Sequence, residues 1–321
     1  MRKWKQEDLE QVPCDFCGSN AFSCVLTRQD EMLVVECGTC GLAYLNPRPK
    51  KLFIPKFYEE DYFNGARSNR GEGGLTLTFQ NGEAGCFRRD KLPRTLEIIN
   101  NQTGNIVGKT ILEIGCATGD LLLLIRAMGA KAKGLEISEF AAAIARKRFL
   151  DVTTGTIEEY AALNTNKSSF DLILSLELIE HVLSPRQFFH DVASLIRDGG
   201  FLVMSTPNYA CANRYGKDWV GFKTSYEHLY FFTLDVLKRM AFKSGFILKY
   251  WETSMASGGP QQKQKSEYIE LQKNRLIKLS YFISEYELPL AVSKFIKKEE
   301  GYSPYGSGHN LVVVFEKNGP R

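Results

Sequence analysis

From Thr110 onward the chain alternates short apolar runs with stretches whose apolar residues recur every three or four positions. Short apolar runs bounded by Gly, Asp or Asn read as strands, and the three-to-four spacing reads as helices packed on one face. Strands are predicted from Thr110 to Ile114, Lys131 to Leu135, Asp151 to Thr154, Asp171 to Leu176 and Phe201 to Ser205. Further strands are predicted from Phe246 to Trp251 and Asn310 to Phe315. Helices are predicted from Leu121 to Met128, Glu139 to Arg148, Gln187 to Ile196 and Thr233 to Lys243, the third stopped by Asp198-Gly199-Gly200 in a left-handed turn. This rhythm at short spacing predicts a doubly wound parallel sheet, an α/β fold.

The first hundred residues are patterned differently. Phe22 to Leu26 and Met32 to Val35 alternate as two short strands joined by a polar turn at Arg28-Gln-Asp30. They lie between Cys14-Asp-Phe-Cys17 and Cys37-Gly-Thr-Cys40. Two such pairs about twenty residues apart suit tetrahedral zinc, and Gly18 and Gly41 allow the tight knuckles. Four cysteines fill the coordination sphere, so Cys14, Cys17, Cys37 and Cys40 are expected to hold a structural Zn2+. Cys24, Cys86, Cys116 and Cys211 lack partners at ligand spacing and are expected to be buried. The prolines of Asn46-Pro-Arg-Pro49 end this ribbon. An aromatic segment (Phe53, Phe57, Tyr58, Tyr62, Phe63), a Gly- and Asn-rich loop from Ser68 to Gly85 and a helix from Phe87 to Asn100 follow. The expected division is 1–50 zinc ribbon, 51–105 aromatic linker and helical segment, and 106–321 main domain.

The chain has 321 residues and a formal net charge of +4, and no long basic run concentrates it. No stretch reads as a signal peptide or membrane span, which predicts a cytoplasmic protein.

The chemistry starts at Ile111-Leu-Glu-Ile-Gly-Cys-Ala-Thr-Gly-Asp120. A strand, a glycine-bearing turn and a helix start form a cradle for a nucleotide-like ligand. Glu136, about twenty residues on at the end of the next strand, is placed to accept both hydroxyls of a ribose. An NAD-binding site would need a third glycine against the pyrophosphate, and Ala117 stands between Gly115 and Gly119.

This set resembles the class I S-adenosylmethionine-dependent methyltransferases. Glu113 to Gly119 matches their first motif, and Leu135-Glu136-Ile137-Ser138 matches their ribose-binding acid. Gly155-Thr-Ile-Glu-Glu-Tyr160, Asp171 to Val182 and Arg197 to Asn208 match the segments that follow. The resemblance implies a seven-stranded, mostly parallel sheet and S-adenosyl-L-methionine as cofactor. It implies cofactor contacts from Glu113, Gly115, Cys116, Ala117, Gly119, Glu136, Ile137, Thr156, Ile157, Ser175, Leu176 and Glu177. Thr156 replaces the usual adenine-binding Asp, which leaves that contact to backbone groups.

Methyl transfer from a sulfonium needs a positioned acceptor and, for a weak nucleophile, a base. Glu180-His181 follows the fourth strand, and His181 is expected on the cofactor side. Glu227-His228 lies in the excursion after the fifth strand, where small-molecule members of the class build their acceptor pocket. His228 is the expected base, with Glu227 fixing its tautomer. The cysteine ribbon, the Asn-Pro-Arg-Pro turn and this pair together resemble deoxysugar C-methyltransferases, whose further C-terminal domain this chain is too short to carry. A small-molecule acceptor, a sugar or nucleotide sugar, is expected. The alternatives are a zinc-ribbon RNA methyltransferase, disfavoured by Asp15, Asp30, Glu31 and Glu36 against Arg28 in the ribbon, and a non-catalytic cofactor-binding module. Within an insertion at about 256–308, a Lys-rich helix from Gln261 to Phe282 is expected as a surface helix with a solvated charged face, the alternatives being a lid, a homodimer contact or a hold on a phosphate-bearing substrate.

Overall fold

The computed structural model describes residues 4–58, 78–80, 83–85, 92–163, 167–223, 226–254, 302–303 and 308–318. The expected helix from Gln261 to Phe282, most of the loop from Gly301 to His309, most of the Ser68 to Gly85 loop and Cys86 lie outside the described residues.

Two sheets carry the chain. The ribbon contributes β1 (Phe22–Thr27), β2 (Leu33–Cys37) and β3 (Ala43–Leu45). The main sheet is built from β4 (Thr110–Ile114), β5 (Lys131–Glu136), β6 (Asp151–Thr154), β7 (Phe170–Leu176) and β8 (Ile196–Pro207), followed by β10 (Phe246–Ser254) and β11 (Asn310–Lys317). Its order is β6-β5-β4-β7-β8-β11-β10, with a two-residue strand at Tyr302–Ser303 on the outer edge of β10. From β6 to β8 all neighbours are parallel, whereas β11 runs against both β8 and β10. This is the mostly parallel, Rossmann-like sheet that the resemblance implies. Its register aligns Ile114 with Leu135 and Ser175, and Leu176 with Ser205, so the turns after four strands open at one edge.

Alternate residues of the central strands serve opposite faces. Ile111, Leu172 and Leu174 pack against α1 (Leu92–Thr103) and α2 (Asp120–Ala127) on one side. Leu112, Ile173 and Leu202 face the other side with α4 (Ile157–Ala162), α5 (Pro185–Leu195) and α6 (Leu234–Lys243). The helix α3 (Glu139–Lys147) covers the β5 edge, where Ala142 and Ala145 meet Leu150 and Val152.

One expected helix stop is corrected. Helix α5 ends at Leu195, and Ile196 is already extended and paired with Phe170. Gly199, with φ 73°, sits in a bulge of β8, where the register shifts between Phe170 and Leu172. The sheet claims Ile196 before the glycines are reached.

The ribbon does not close on itself. Its fourth strand is β9 (Tyr230–Phe231), which pairs with β3 to give the order β9-β3-β2-β1. Val34, Val35, Tyr44 and Leu45 belong to the same apolar cluster as Phe188, Phe231 and Phe315. Two of the ribbon acids, Asp15 and Glu36, take part in this union. Asp15 accepts from the Ser184 hydroxyl (2.7 Å) and the Arg186 N–H (2.8 Å) at the start of α5, and Glu36 accepts from Tyr209 (3.0 Å). Cys116 and Cys211 are buried as expected, but Cys24 is exposed on the outer strand β1.

Candidate active site

After β4 the chain turns sharply, with Gly115 N–H and Cys116 N–H both donating to the Leu135 carbonyl. Gly119 adopts φ 82°, and a Cβ there would stand 2.3 Å from Leu150 Cδ1. Leu150 can move its chain end aside, so it is the left-handed backbone at this position that favours glycine. Ala117 takes the left-handed conformation too, at φ 48°. Its N–H donates to Glu136 Oε2 at 2.8 Å, while Ser138 N–H donates to Glu136 Oε1 at 2.9 Å. One carboxylate thus stitches the two turns together. Each carboxylate oxygen retains a second lone pair, so Glu136 can still accept ribose hydroxyls.

Glu113 is buried, and among the described residues its Oε2 has no hydrogen-bond partner. Thr118 Oγ1 and Ser175 Oγ are likewise buried and unpartnered there. Burial, then the charges of Asp120 and Glu136, push the Glu113 carboxyl well above its ordinary range. Burial also raises Glu136, against the N–H groups that stabilise its charge. A turn lined by three carboxylates and orphaned polar atoms fits a ligand that carries positive charge and hydrogen-bonding groups.

Of the expected cofactor residues, Glu113, Gly115, Cys116, Ala117 and Gly119 form or adjoin this turn, Glu136 is hydrogen-bonded to it, and Ser175 pairs with Ile114 on the neighbouring strand. The Cys116 side chain points into the apolar cluster of Leu122, Ala142 and Val152, leaving only its backbone toward the turn. The Thr156 hydroxyl caps α4 through the Glu159 N–H (3.3 Å), while Glu159 accepts from the Thr156 N–H (2.9 Å). Glu177, at φ 52°, accepts from the Ser205 hydroxyl at 2.7 Å, and Leu178 beside it packs on Gly115.

Leu178 leads directly to the second cluster. Glu180 Oε1 lies 3.8 Å from His181 Nε2 and 3.9 Å from His228 Nε2, with Glu180 1% and His228 7% exposed. The imidazoles meet edge to face, 4.7 Å between centroids, and Tyr58 stands edge-on to His181 at 6.0 Å. Thr206 donates to Glu180 Oε2 at 2.9 Å. The Glu180 carbonyl accepts from Leu229 N–H and Tyr230 N–H, which locks the two loops together. Glu180 is thus a carboxylate that faces His228, and Glu227, the neighbour of His228 in the chain, is buried. Thr233 caps α6.

A methyltransferase-domain family matches this chain over residues 85–249, slightly more than half its length. The chain belongs to that methyltransferase family. This methyltransferase is 31% identical over 134 residues to the ubiquinone biosynthesis O-methyltransferase of Klebsiella pneumoniae subsp. pneumoniae, covering 40% of the chain and 52% of that protein. It is 30% identical over the same length to that of Salmonella newport. The chain spans about half the length of the curated relatives it matches. Among solved structures, it resembles geranyl diphosphate C-methyltransferase from Streptomyces coelicolor, which was solved with S-adenosyl-L-homocysteine. The TM-score is 0.46 at 15% identity, over 70% of this chain and 80% of that one. An S-adenosylmethionine-dependent methyltransferase from Archaeoglobus fulgidus gives a TM-score of 0.46 at 16% identity, over 71% and 94%. S-adenosylmethionine is the methyl donor of this family, and the cationic, polar character demanded by the Glu113 turn suits it.

At the ribbon end, the four sulfur atoms of Cys14, Cys17, Cys37 and Cys40 lie within 4.8 Å of one another. Cys14 and Cys40 are 3.4 Å apart and Cys17 and Cys37 3.5 Å, close to the edge of a thiolate tetrahedron around one metal ion. Gly18 N–H donates to the Cys14 carbonyl and Gly41 N–H to the Cys37 carbonyl, giving two matched knuckles.

Sequence reasoning missed Arg28, Thr206 and the role of Glu180. Nothing in a polar Arg28-Gln-Asp30 turn signals that its arginine is buried against residues two hundred positions away.

Proposed function

We propose that this methyltransferase transfers the methyl group of S-adenosylmethionine to a small-molecule acceptor, a sugar or nucleotide sugar, with His228 as the general base. The observation that carries the reading is one buried carboxylate, Glu180, facing two imidazoles at the strand ends beside the donor turn. The bound donor supplies an activated methyl group. Glu113, Ser175 and Glu136 hold it by its polar ends, and the Glu113 turn excludes water from one side. His228 removes the acceptor proton, and Glu180 orients the ring and stabilises the imidazolium that results. His181 borders the donor. Cys14, Cys17, Cys37 and Cys40 hold a structural Zn2+; with four sulfurs no position is open for substrate. Arg28, the basic residue of the ribbon turn, is buried and paired with Asp30, so it offers no contact to RNA.

The test is a screen of nucleotide sugars for S-adenosyl-L-homocysteine release. His228→Ala is expected to lower turnover by about 100-fold or more and Glu180→Gln by about 10-fold, with donor binding by calorimetry unchanged. Full turnover in His228→Ala would remove the base assignment.

A second reading comes from the same cluster, because the ligand atoms of Glu180, His181 and His228 lie within 4.8 Å of one another and could hold a divalent cation. Turnover that requires added Mg2+ or Mn2+ would favour that reading.

A further inference from the structure

Arg28 and Asp30 belong to the turn between β1 and β2, yet their side chains are 0% and 3% exposed. Arg28 grips both Asp30 oxygens, from Nε at 3.0 Å and from Nη2 at 2.7 Å. Its remaining reach goes to the acceptor loop. Nη1 donates to the His228 carbonyl at 3.1 Å and Nη2 to the Tyr226 carbonyl at 3.0 Å. The guanidinium also stands 5.6 Å from the Tyr226 ring centroid, and the Tyr226 hydroxyl donates to Gln29 Oε1 at 3.0 Å. One residue on, Leu45 N–H donates to the Leu229 carbonyl and Leu229 N–H to the Glu180 carbonyl.

His228 is therefore held through its backbone from two directions. The ribbon turn grips the carbonyl side, and the Glu180 loop grips the next residue. Only a planar fork with donors at fixed angles meets a carboxylate and two carbonyls at once; an ammonium group presents a single point. A buried ion pair is a poor way to gain stability, so its place against this loop, rather than anywhere else in the ribbon, asks for another use.

We propose that Arg28 is a positioning residue for methyl transfer. It fixes the backbone at His228, and so the distance of the imidazole from Glu180, which makes the cysteine ribbon a working part of the acceptor site. This rests on the reading of His228 as the base.

The test uses full-length protein with 13C-labelled histidine and bound S-adenosylmethionine. The chain has four histidines, which single substitutions assign. Arg28→Lys is expected to shift the His228 ring signals while His190, exposed on α5, stays in place. It should also lower methyl transfer to the nucleotide-sugar panel by about 10-fold or more, with donor affinity within about twofold of wild type. If Arg28→Lys does not fold, Asp30→Asn, which removes the partner that orients the fork, must produce the same His228 shift. A folded variant with unmoved His228 signals and turnover within twofold of wild type overturns the proposal. If His228→Ala itself retains turnover, the base reading fails, whereas the His228 signals in Arg28→Lys still report whether the tether exists.

Discussion

Glu113 shows how a single residue can be costly to the fold and useful to the site. Its carboxyl is raised well above the ordinary 4.5 by burial and by its acidic neighbours. Between pH 4.5 and that raised value the folded chain keeps a proton that the unfolded chain has released, so the stability of the donor-free protein falls as pH rises through this window. Glu113→Gln should therefore stabilise the donor-free protein by about 1–2 kcal/mol at pH 8. The gain should disappear below pH 4.5. Affinity for S-adenosylmethionine should fall about 10-fold or more, because the charged partner of the donor is gone. Thermal melts across pH, paired with calorimetry, check both halves. A variant whose gain over wild type is no larger at pH 8 than at pH 4.5 would contradict the account.

At the scale of elements, the glycines of the turn after β4 serve its packing. A methyl group on Gly119 has to push aside the chain end of Leu150, which anchors β6 against α3, and the backbone is left-handed there. Gly119→Ala should cost about 2–4 kcal/mol by overpacking and strain together, seen as a lowered denaturant midpoint even without donor. The chain tolerates left-handed backbone at Ala117 because the Ala117 N–H is thereby aimed at Glu136. Strand ends, caps and this one hydrogen bond fix the turn after β4 in the ligand-free chain.

Across the whole molecule, the ribbon and the methyltransferase sheet share one apolar cluster and one four-stranded sheet. Such a union predicts a single cooperative unfolding transition rather than two. Metal analysis should find one zinc per chain, lost in Cys17→Ser. Stripping the metal with a strong chelator should lower that single transition as a whole, by about 10 °C or more. Separate melting of a ribbon step ahead of the main one would contradict the shared core.

The order of strands and helices, the turn at Glu113 to Gly119 and the four-cysteine knuckles were all legible in the sequence. Each rests on local spacing: apolar period, glycine placement and ligand separation within about thirty residues. The helix stop at Gly199 was misread because strand pairing with Phe170 outranks a local glycine signal. The exposure of Cys24 was misread because β1 is an edge whose outer face no other described element covers. Tertiary structure alone brought Glu180, from the loop after β7, to face His228 on a distant loop. It alone decided that Arg28 is interior. Local pattern determines which elements form, but contacts between the chain's first and last thirds follow only from how the sheets are joined.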